Sequence, residues 1–278
     1  MKEVTAGIDI GGTNTVFGLV DRGGSIIDQG RLNTVDYPEI GDFISALGKA
    51  LKVLMERNPG LKLKAAGIGA PNANYYKGTI EHAPNLAWKG IVPFAGMFRK
   101  ETGIPVFLTN DANAAAMGEM LFGGAKGMKE FIVLTLGTGL GSGIVINGKM
   151  VYGHTGFAGE LGHTIVVHGG RQCGCGRRGC LETYASASGL VRTALYMLSD
   201  MSEPSVLRDI PPSALTSREI AHAAADNDPV ALRALDFTAS KLAFAIVNAV
   251  SFSSPEAVFL FGGLAQAGEA LFGPVRKY

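Results

Sequence analysis

The chain's only cysteines, Cys173, Cys175 and Cys180, all fall within HGGRQCGCGRRGCLE, residues 168–182. Thiols packed this closely serve either a disulfide or a metal. The N-terminus, MKEVTAGIDIGG, lacks a basic-then-apolar signal segment, which points to a cytoplasmic, reducing setting. With an odd number of thiols as well, a metal fits better than a bridge. Tetrahedral Zn²⁺ needs a fourth ligand beside three thiolates, and His163 and His168 both lie just upstream.

Two further stretches have the chemistry of phosphate loops: DIGGTNT (9–15) and LGTGLGSG (136–143). Glycine lets backbone N–H groups approach a polyphosphate, because no Cβ intervenes and positive φ is allowed. Neither loop is a Walker A motif. The glycines of the second, 137, 139, 141 and 143, are spaced by two and lead into a strand, so it is not a dinucleotide fingerprint either. Each loop alone reads as a hairpin turn. The pair, with Asp9 before one and Thr138 inside the other, reads as a nucleotide site.

These residues need strands and helices to position them. VTAGIDI, VFGLV and SIIDQGRL read as a three-strand meander with turns at GGTN and DRGG. From Pro38 to Asn58 apolar residues recur at spacings of three and four, which predicts a helix, followed by a buried strand, LKAAGIGAP. A second helix ends near Gly103, and VFLTND (106–111) is a strand feeding the alanine-rich helix ANAAAMGEMLF. FIVLTLGTGLGSGIVINGKMV then repeats the opening plan of strand, Gly/Thr turn and strand, which suggests an internal duplication. Thr216 with Glu219 predicts a capping box, and Asp228-Pro229 an N-cap before a long helix. VFLFGG (258–263) is a last buried strand ending in a glycine pair.

With 278 residues the chain predicts two domains. Lys plus Arg number 25 and Asp plus Glu 24, and a net charge of +1 gives no general attraction to nucleic acid or anionic lipid. No apolar run reaches the ~18 residues of a membrane span. Small molecules are the expected partners.

Asp-x-Gly-Gly-Thr after the first strand, Gly-Thr-Gly after a later one and Gly-Gly after a last one resemble the phosphate and adenosine motifs of the actin, heat-shock chaperone and sugar kinase superfamily. The segment from GFAGELGHTIV through CGCGRRGCLE is similar, almost residue for residue, to the signature of the ROK family of repressors, open reading frames and kinases. The resemblance implies an α/β fold of two duplicated actin/hexokinase-like (ribonuclease H-like) domains with ATP between them, here 1–111 and 112–278. It implies phosphate contacts at Gly11, Gly12 and Thr13 and at Gly137, Thr138 and Gly139, Mg²⁺ held with help from Asp9, and adenosine over Gly262 and Gly263. Val16 stands where such kinases often carry a basic residue. The zinc ligands by resemblance are His163, Cys173, Cys175 and Cys180, with zinc structural and fixing the His163 ring.

NDANAAA also matches the family's catalytic segment. An N-cap would explain an Asp there without any catalysis. The resemblance instead makes Asp111 the base that takes the proton of the sugar hydroxyl, with Gly69, Asn85, Asn110, Glu160, His163 and Glu182 around the sugar. The implied reaction is ATP-dependent phosphorylation of a hexose, at the 6-hydroxyl of glucose in the first reading. N-acetylmannosamine, N-acetylglucosamine or another hexose is the alternative acceptor. A sugar-responsive repressor is a third reading, but those carry a DNA-binding helical domain ahead of the first phosphate motif, where this sequence has eight residues before Asp9. A homodimer is the family's usual assembly. Relatives continue a few dozen residues past the adenosine motif into a helix packed on the N-terminal domain, and a sequence ending at GPVRKY is expected to lack it.

Overall fold

Alternation in the opening strand drives the first sheet: in β1 (Lys2–Ile10), Val4, Ala6, Ile8 and Ile10 are buried while their neighbours face out. The computed structural model describes all residues, 1–278. β2 (Asn14–Val20) and β3 (Ile26–Asn33) complete the antiparallel meander, then α1 (Ile40–Arg57) buries Phe43, Ile44, Leu47, Leu51 and Leu54 along one stripe. β4 (Leu61–Gly69) returns parallel to β1. Three short strands, β5 (Ala73–Asn74), β6 (Thr79–Glu81) and β7 (Ile91–Val92), form a separate small sheet. Helix α2 (Phe94–Thr102) ends on Gly103 in the left-handed region, and β8 (Val106–Thr109) joins β4 in parallel ahead of α3 (Asp111–Phe122). The order is β3-β2-β1-β4-β8.

The plan recurs downstream. β9 (Phe131–Leu136) and β10 (Leu140–Ile146) pair antiparallel, and β11 (Lys149–Met150) follows a turn in which Asn147 and Gly148 have φ of 53° and 68°. Positive φ at both central positions is the hairpin geometry that Asn-Gly favours. After the cysteine-bearing loop come α4 (Glu182–Ala185), α5 (Ala187–Asp200), α6 (Ser217–Ala225) and α7 (Pro229–Ser253). Thr216 and Glu219 form the predicted capping box, and the Asp228 carboxylate accepts from the N–H groups of Val230 and Ala231. β12 (Ala257–Phe261) lies parallel to β9, giving the order β11-β10-β9-β12, the same order as the first four strands of the other sheet. The duplication read from the sequence is present in the topology.

The chain divides into two units, Met1–Gly127 with Val151–Ala158, and Met128–Met150 with Gly159–Tyr278. The sequence had placed the boundary after residue 111, at the first residue of α3. In the structure α3 stays with the first unit, and so does the excursion 151–158. That excursion is anchored by the stacked rings of Tyr75 and Tyr152, 4.1 Å apart, and by Asn74 Nδ2 donating to the Thr155 carbonyl at 2.9 Å. The residues after Gly263 form a short 3-10 turn and α8 (Glu269–Lys277), whose Leu271 is buried in the core of the second unit. No helix is long and apolar enough to cross a membrane.

Candidate functional site

In the first unit the parallel register aligns the ends of three strands: Asp9 of β1 stands opposite Gly69 of β4, and Gly69 opposite Thr109 of β8. Such carboxyl ends are where open α/β sheets bind ligands. The chain passes from Thr109 directly into Asn110 and Asp111. The predicted strand 106–111 is two residues shorter than expected, because Asn110 is the N-cap and its Oδ1 accepts from the Asn113 N–H at 2.7 Å. The capping role offered as the alternative account of Asp111 therefore belongs to its neighbour. Asp111 is exposed at the first helical position, and Asn110 keeps its NH₂ group for donation.

Gly69 is buried between the two acids. A Cβ there would meet the Ala114 Cβ at 3.1 Å, the Asp111 Cα at 3.5 Å and the Asp9 Oδ1 at 3.9 Å. Asp9 keeps solvent access, yet crowding by protein pushes its carboxyl above the ordinary aspartate value, with repulsion from Asp111 the second cause. A carboxylate whose charge is disfavoured by burial and by a neighbouring acid makes a suitable place for a cation. Between β1 and β2 the loop turns tightly, with Gly11 N–H donating to the Asn14 carbonyl at 2.9 Å. Asn85 lies against that loop: a Cβ on Gly12 would come within 2.5 Å of the Asn85 carbonyl oxygen. Asp9, Gly11, Gly12, Gly69, Asn85, Asn110 and Asp111 are thus brought to one end of one sheet, with Thr13 exposed on the same loop.

The second unit carries the other set. Gly137 N–H donates to the Gly139 carbonyl at 3.0 Å, and the loop is tied to the start of α5. Ala187 N–H reaches the Gly137 carbonyl at 2.9 Å, and Ser188 Oγ the Thr138 carbonyl at 2.7 Å. Glu182 Oε2 accepts from the Leu140 N–H at 3.0 Å, and a Cβ on Gly139 would collide with that oxygen. Gly262, at φ 101°, follows β12 and packs on the end of β9, where a Cβ would meet the Leu136 carbonyl at 2.8 Å. The glycine pair 262–263 is therefore beside the residue that precedes Gly137. Ser186 and Ser188, which cap α5 and hold the loop, were missed in the sequence; the Ser-x-x-Gly ahead of an apolar helix was their only sign.

The four predicted zinc ligands converge. A ring nitrogen of His163 and the three sulfurs all lie within 4.8 Å of one another, with Cys173 Sγ 3.7 Å from His163 Nδ1 and Cys175 Sγ 3.7 Å from Cys180 Sγ. Zinc–sulfur bonds of about 2.3 Å give tetrahedron edges near 3.8 Å, whereas a disulfide needs about 2.05 Å. The donor set fits a tetrahedral metal and not a bridge. His168 is outside the cluster. Burial opposes ionisation at each thiol and drives Cys180 up to about 12; at Cys175 the backbone N–H and guanidinium of Arg177 outweigh it, bringing that thiol down to about 6. Cys173 Sγ also lies 3.9 Å from Glu182 Oε1, so the carboxylate bound to the glycine loop touches the cysteine cluster as well.

Residues 5–278 match the model of the ROK family. The chain belongs to that family. It is 38% identical over 280 residues to a glucokinase of Streptomyces coelicolor, covering 99% of this chain and 86% of that one. A glucokinase of Halalkalibacterium halodurans is 35% identical over 277 residues, covering 98% and 84%. The crystal structure of a ROK family glucokinase from Streptomyces griseus in complex with glucose and AMPPNP superposes with a TM-score of 0.84 at 36% identity, covering 99% of this chain and 88% of that one. The two-domain α/β fold expected from the motifs is the fold of these neighbours.

Proposed function

We propose that the protein transfers the γ-phosphate of ATP to the 6-hydroxyl of glucose. It is an ATP-dependent sugar kinase of the ROK family. The observation that carries the finer reading is the row Asp9, Gly69, Thr109 with Asn110-Asp111 directly beyond it, since it sets an exposed carboxylate beside a glycine loop and a second acid. Glucose and a nucleotide analogue are bound by the Streptomyces griseus neighbour, which supports the same pair of ligands here.

In this reading Gly11, Gly12, Thr13, Gly137, Thr138 and Gly139 hold the phosphates, and Gly262 and Gly263 lie under adenosine. Asp9 helps to hold Mg²⁺, which supplies charge neutralisation for the transferred phosphoryl group. Gly69, Asn85, Asn110, Glu160, His163 and Glu182 surround the sugar. The sugar oxygen forms its bond to Pγ as the bond from Pγ to the bridging oxygen of ADP breaks, and the hydroxyl proton passes to Asp111. The Asp111 carboxylate orients the hydroxyl and takes the proton late, once the oxygen has become acidic. His163, Cys173, Cys175 and Cys180 would hold a structural Zn²⁺, which would fix the His163 imidazole and leave its other ring nitrogen free to meet the substrate. We assign the enzyme to the cytoplasm as a homodimer, with no nucleic acid or membrane partner.

ADP release coupled to a spectrophotometric readout, run over glucose, other hexoses, N-acetylmannosamine and N-acetylglucosamine, tests the reading. Glucose should give the highest kcat/KM. A higher value for an N-acetylhexosamine would move the assignment to that acceptor, and no sugar-dependent ADP with Mg²⁺ and zinc supplied would end the kinase reading.

A further inference from the structure

Glu160 sits in a glycine-flanked stretch, Gly159–Gly162, with no regular strand or α-helix to fix it. Beyond the bond that the Glu160 carbonyl accepts from the His163 N–H at 3.0 Å in the 3-10 turn Leu161–His163, a further anchor must hold the peptide groups on either side of Glu160 if its carboxylate is to meet a sugar in a defined place. Ser142 does so. It lies on β10 between Gly141 and Gly143, is 1% exposed, and its side chain reaches the peptide groups on both sides of Glu160. The Ser142 hydroxyl donates to the Gly159 carbonyl and accepts from the Leu161 N–H at 3.1 Å. One hydroxyl used as donor and acceptor at once has no rotational freedom left. The loop is drawn onto β10 at a further point, since Gly162 is pressed so closely on the Leu140 carbonyl that a Cβ would overlap it.

β10 therefore organises two of the carboxylates assigned to the sugar. The Leu140 N–H holds the Glu182 carboxylate, and two residues along on the same strand Ser142 grips the chain on either side of Glu160. Leu140 directly follows Gly139 of the phosphate loop, so both anchors share one strand with that loop. Alanine at 142 would continue the strand, and the hydroxyl adds nothing to β pairing, which uses backbone groups alone.

We propose that Ser142 is a positioning residue for hexose binding, clamping the backbone of Glu160 to β10. The proposal rests on the hexose kinase reading and adds to it a residue that touches neither substrate nor metal. Its prediction is selective. Ser142→Ala, which removes both hydrogen bonds while keeping the strand, should raise the KM for the hexose by about tenfold, with kcat and the KM for ATP within twofold of wild type.

Amide hydrogen exchange on the same proteins reads the clamp without any activity. The Leu161 N–H should be protected in wild type and exchange at least tenfold faster in Ser142→Ala. An unchanged hexose KM would overturn the positioning role. So would a fall in kcat accompanied by equal rises in both KM values, because a general loss of structure would look like that. Unchanged exchange at Leu161 would overturn the clamp itself. Should wild type form no sugar-dependent ADP, the kinase reading fails and the positioning role with it, while the exchange arm still reports whether the clamp exists.

Discussion

The two units start from one plan and end in different chemistry. Both have an antiparallel meander with a fourth strand parallel to the first, β3-β2-β1-β4 in one and β11-β10-β9-β12 in the other. What differs is the residue at each strand end. In the first unit β1 ends near Asp9 and β8 leads to Asp111, whereas in the second β12 ends in Gly262-Gly263 and β9 in Gly137. Acids at strand ends can hold a cation or take a proton; glycines leave room for a ligand to approach the backbone. The second unit takes its polar groups from a loop instead, and that loop gathers one histidine nitrogen and three sulfurs that could hold a metal ion. A shared frame thus supplies positions, and substitution at the frame's edge decides which unit presents acids and which presents glycines.

The strongest way to break this contrast is Asp111→Asn. If the first unit carries the base, kcat should fall by about 10²- to 10⁴-fold, while the hexose KM changes by less than about threefold. A KM effect larger than the kcat effect would make Asp111 a binding group and erase the distinction. Next in size is Cys175→Ser, aimed at the second unit. One zinc per chain, measured by atomic absorption, should be lost, and the melting temperature should fall by about 5 °C or more as a cross-link of the loop disappears. Retention of the metal in that variant would remove Cys175 from the ligand set.

The sequence carried the contrast unevenly. The tight turns of DIGGTNT and LGTGLGSG and the clustering of His163 with the three cysteines were legible because close backbone approach and closely spaced soft ligands restrict residue type over a few adjacent positions. The capping box at Thr216 and Glu219 was legible for the same reason. The assignment of the cap to Asn110 was not, since Asn and Asp are equally good caps and only geometry decides between neighbours. Strands β5 and β7 are two residues long, too short for any periodicity. The Leu140–Glu182 bond spans 42 residues and the Asn74–Thr155 bond 81, and no local pattern foretells which distant backbone group a side chain will meet.

The cores differ as well, and core substitutions sharpen the comparison. The first unit is filled with rings: Phe43 lies 4.6 Å from Trp88 and 6.2 Å from Phe94 between centroids, and it is fully buried. The second is filled by helix contacts at small residues, with Ala231, Ala234, Ala239 and Ala243 of α7 buried. A ring-filled core is vulnerable to truncation and an alanine-lined contact to enlargement. Phe43→Ala should cost about 3–5 kcal/mol and Ala239→Leu about 1–3 kcal/mol in urea unfolding. Equal tolerance of Ala239→Leu and wild type would show that α7 packs loosely.

The smallest expected effect concerns the acid pair that only the first unit has. Burial first, and the nearby Asp111 second, raise the folded-state pKa of Asp9. A carboxyl whose pKa is raised on folding contributes stability below its unfolded value, and that contribution is lost as pH rises through the folded value. At neutral pH, without a cation, the ionised Asp9 therefore opposes folding. Asp9→Asn should raise the melting temperature at pH 7, by only about 1–2 °C because Asp9 keeps access to solvent that screens the repulsion. The two proteins should melt alike at pH 3, below the ordinary aspartate value of about 3.9. Mg²⁺ should then reverse the order at pH 7, stabilising wild type and not the variant, since the repulsion that costs stability without the ion is what holds it when present. A variant that melts lower than wild type at pH 7 without Mg²⁺ would mean that Asp9 serves the folded chain as a hydrogen-bond acceptor, and the strand end would then be structural in both units.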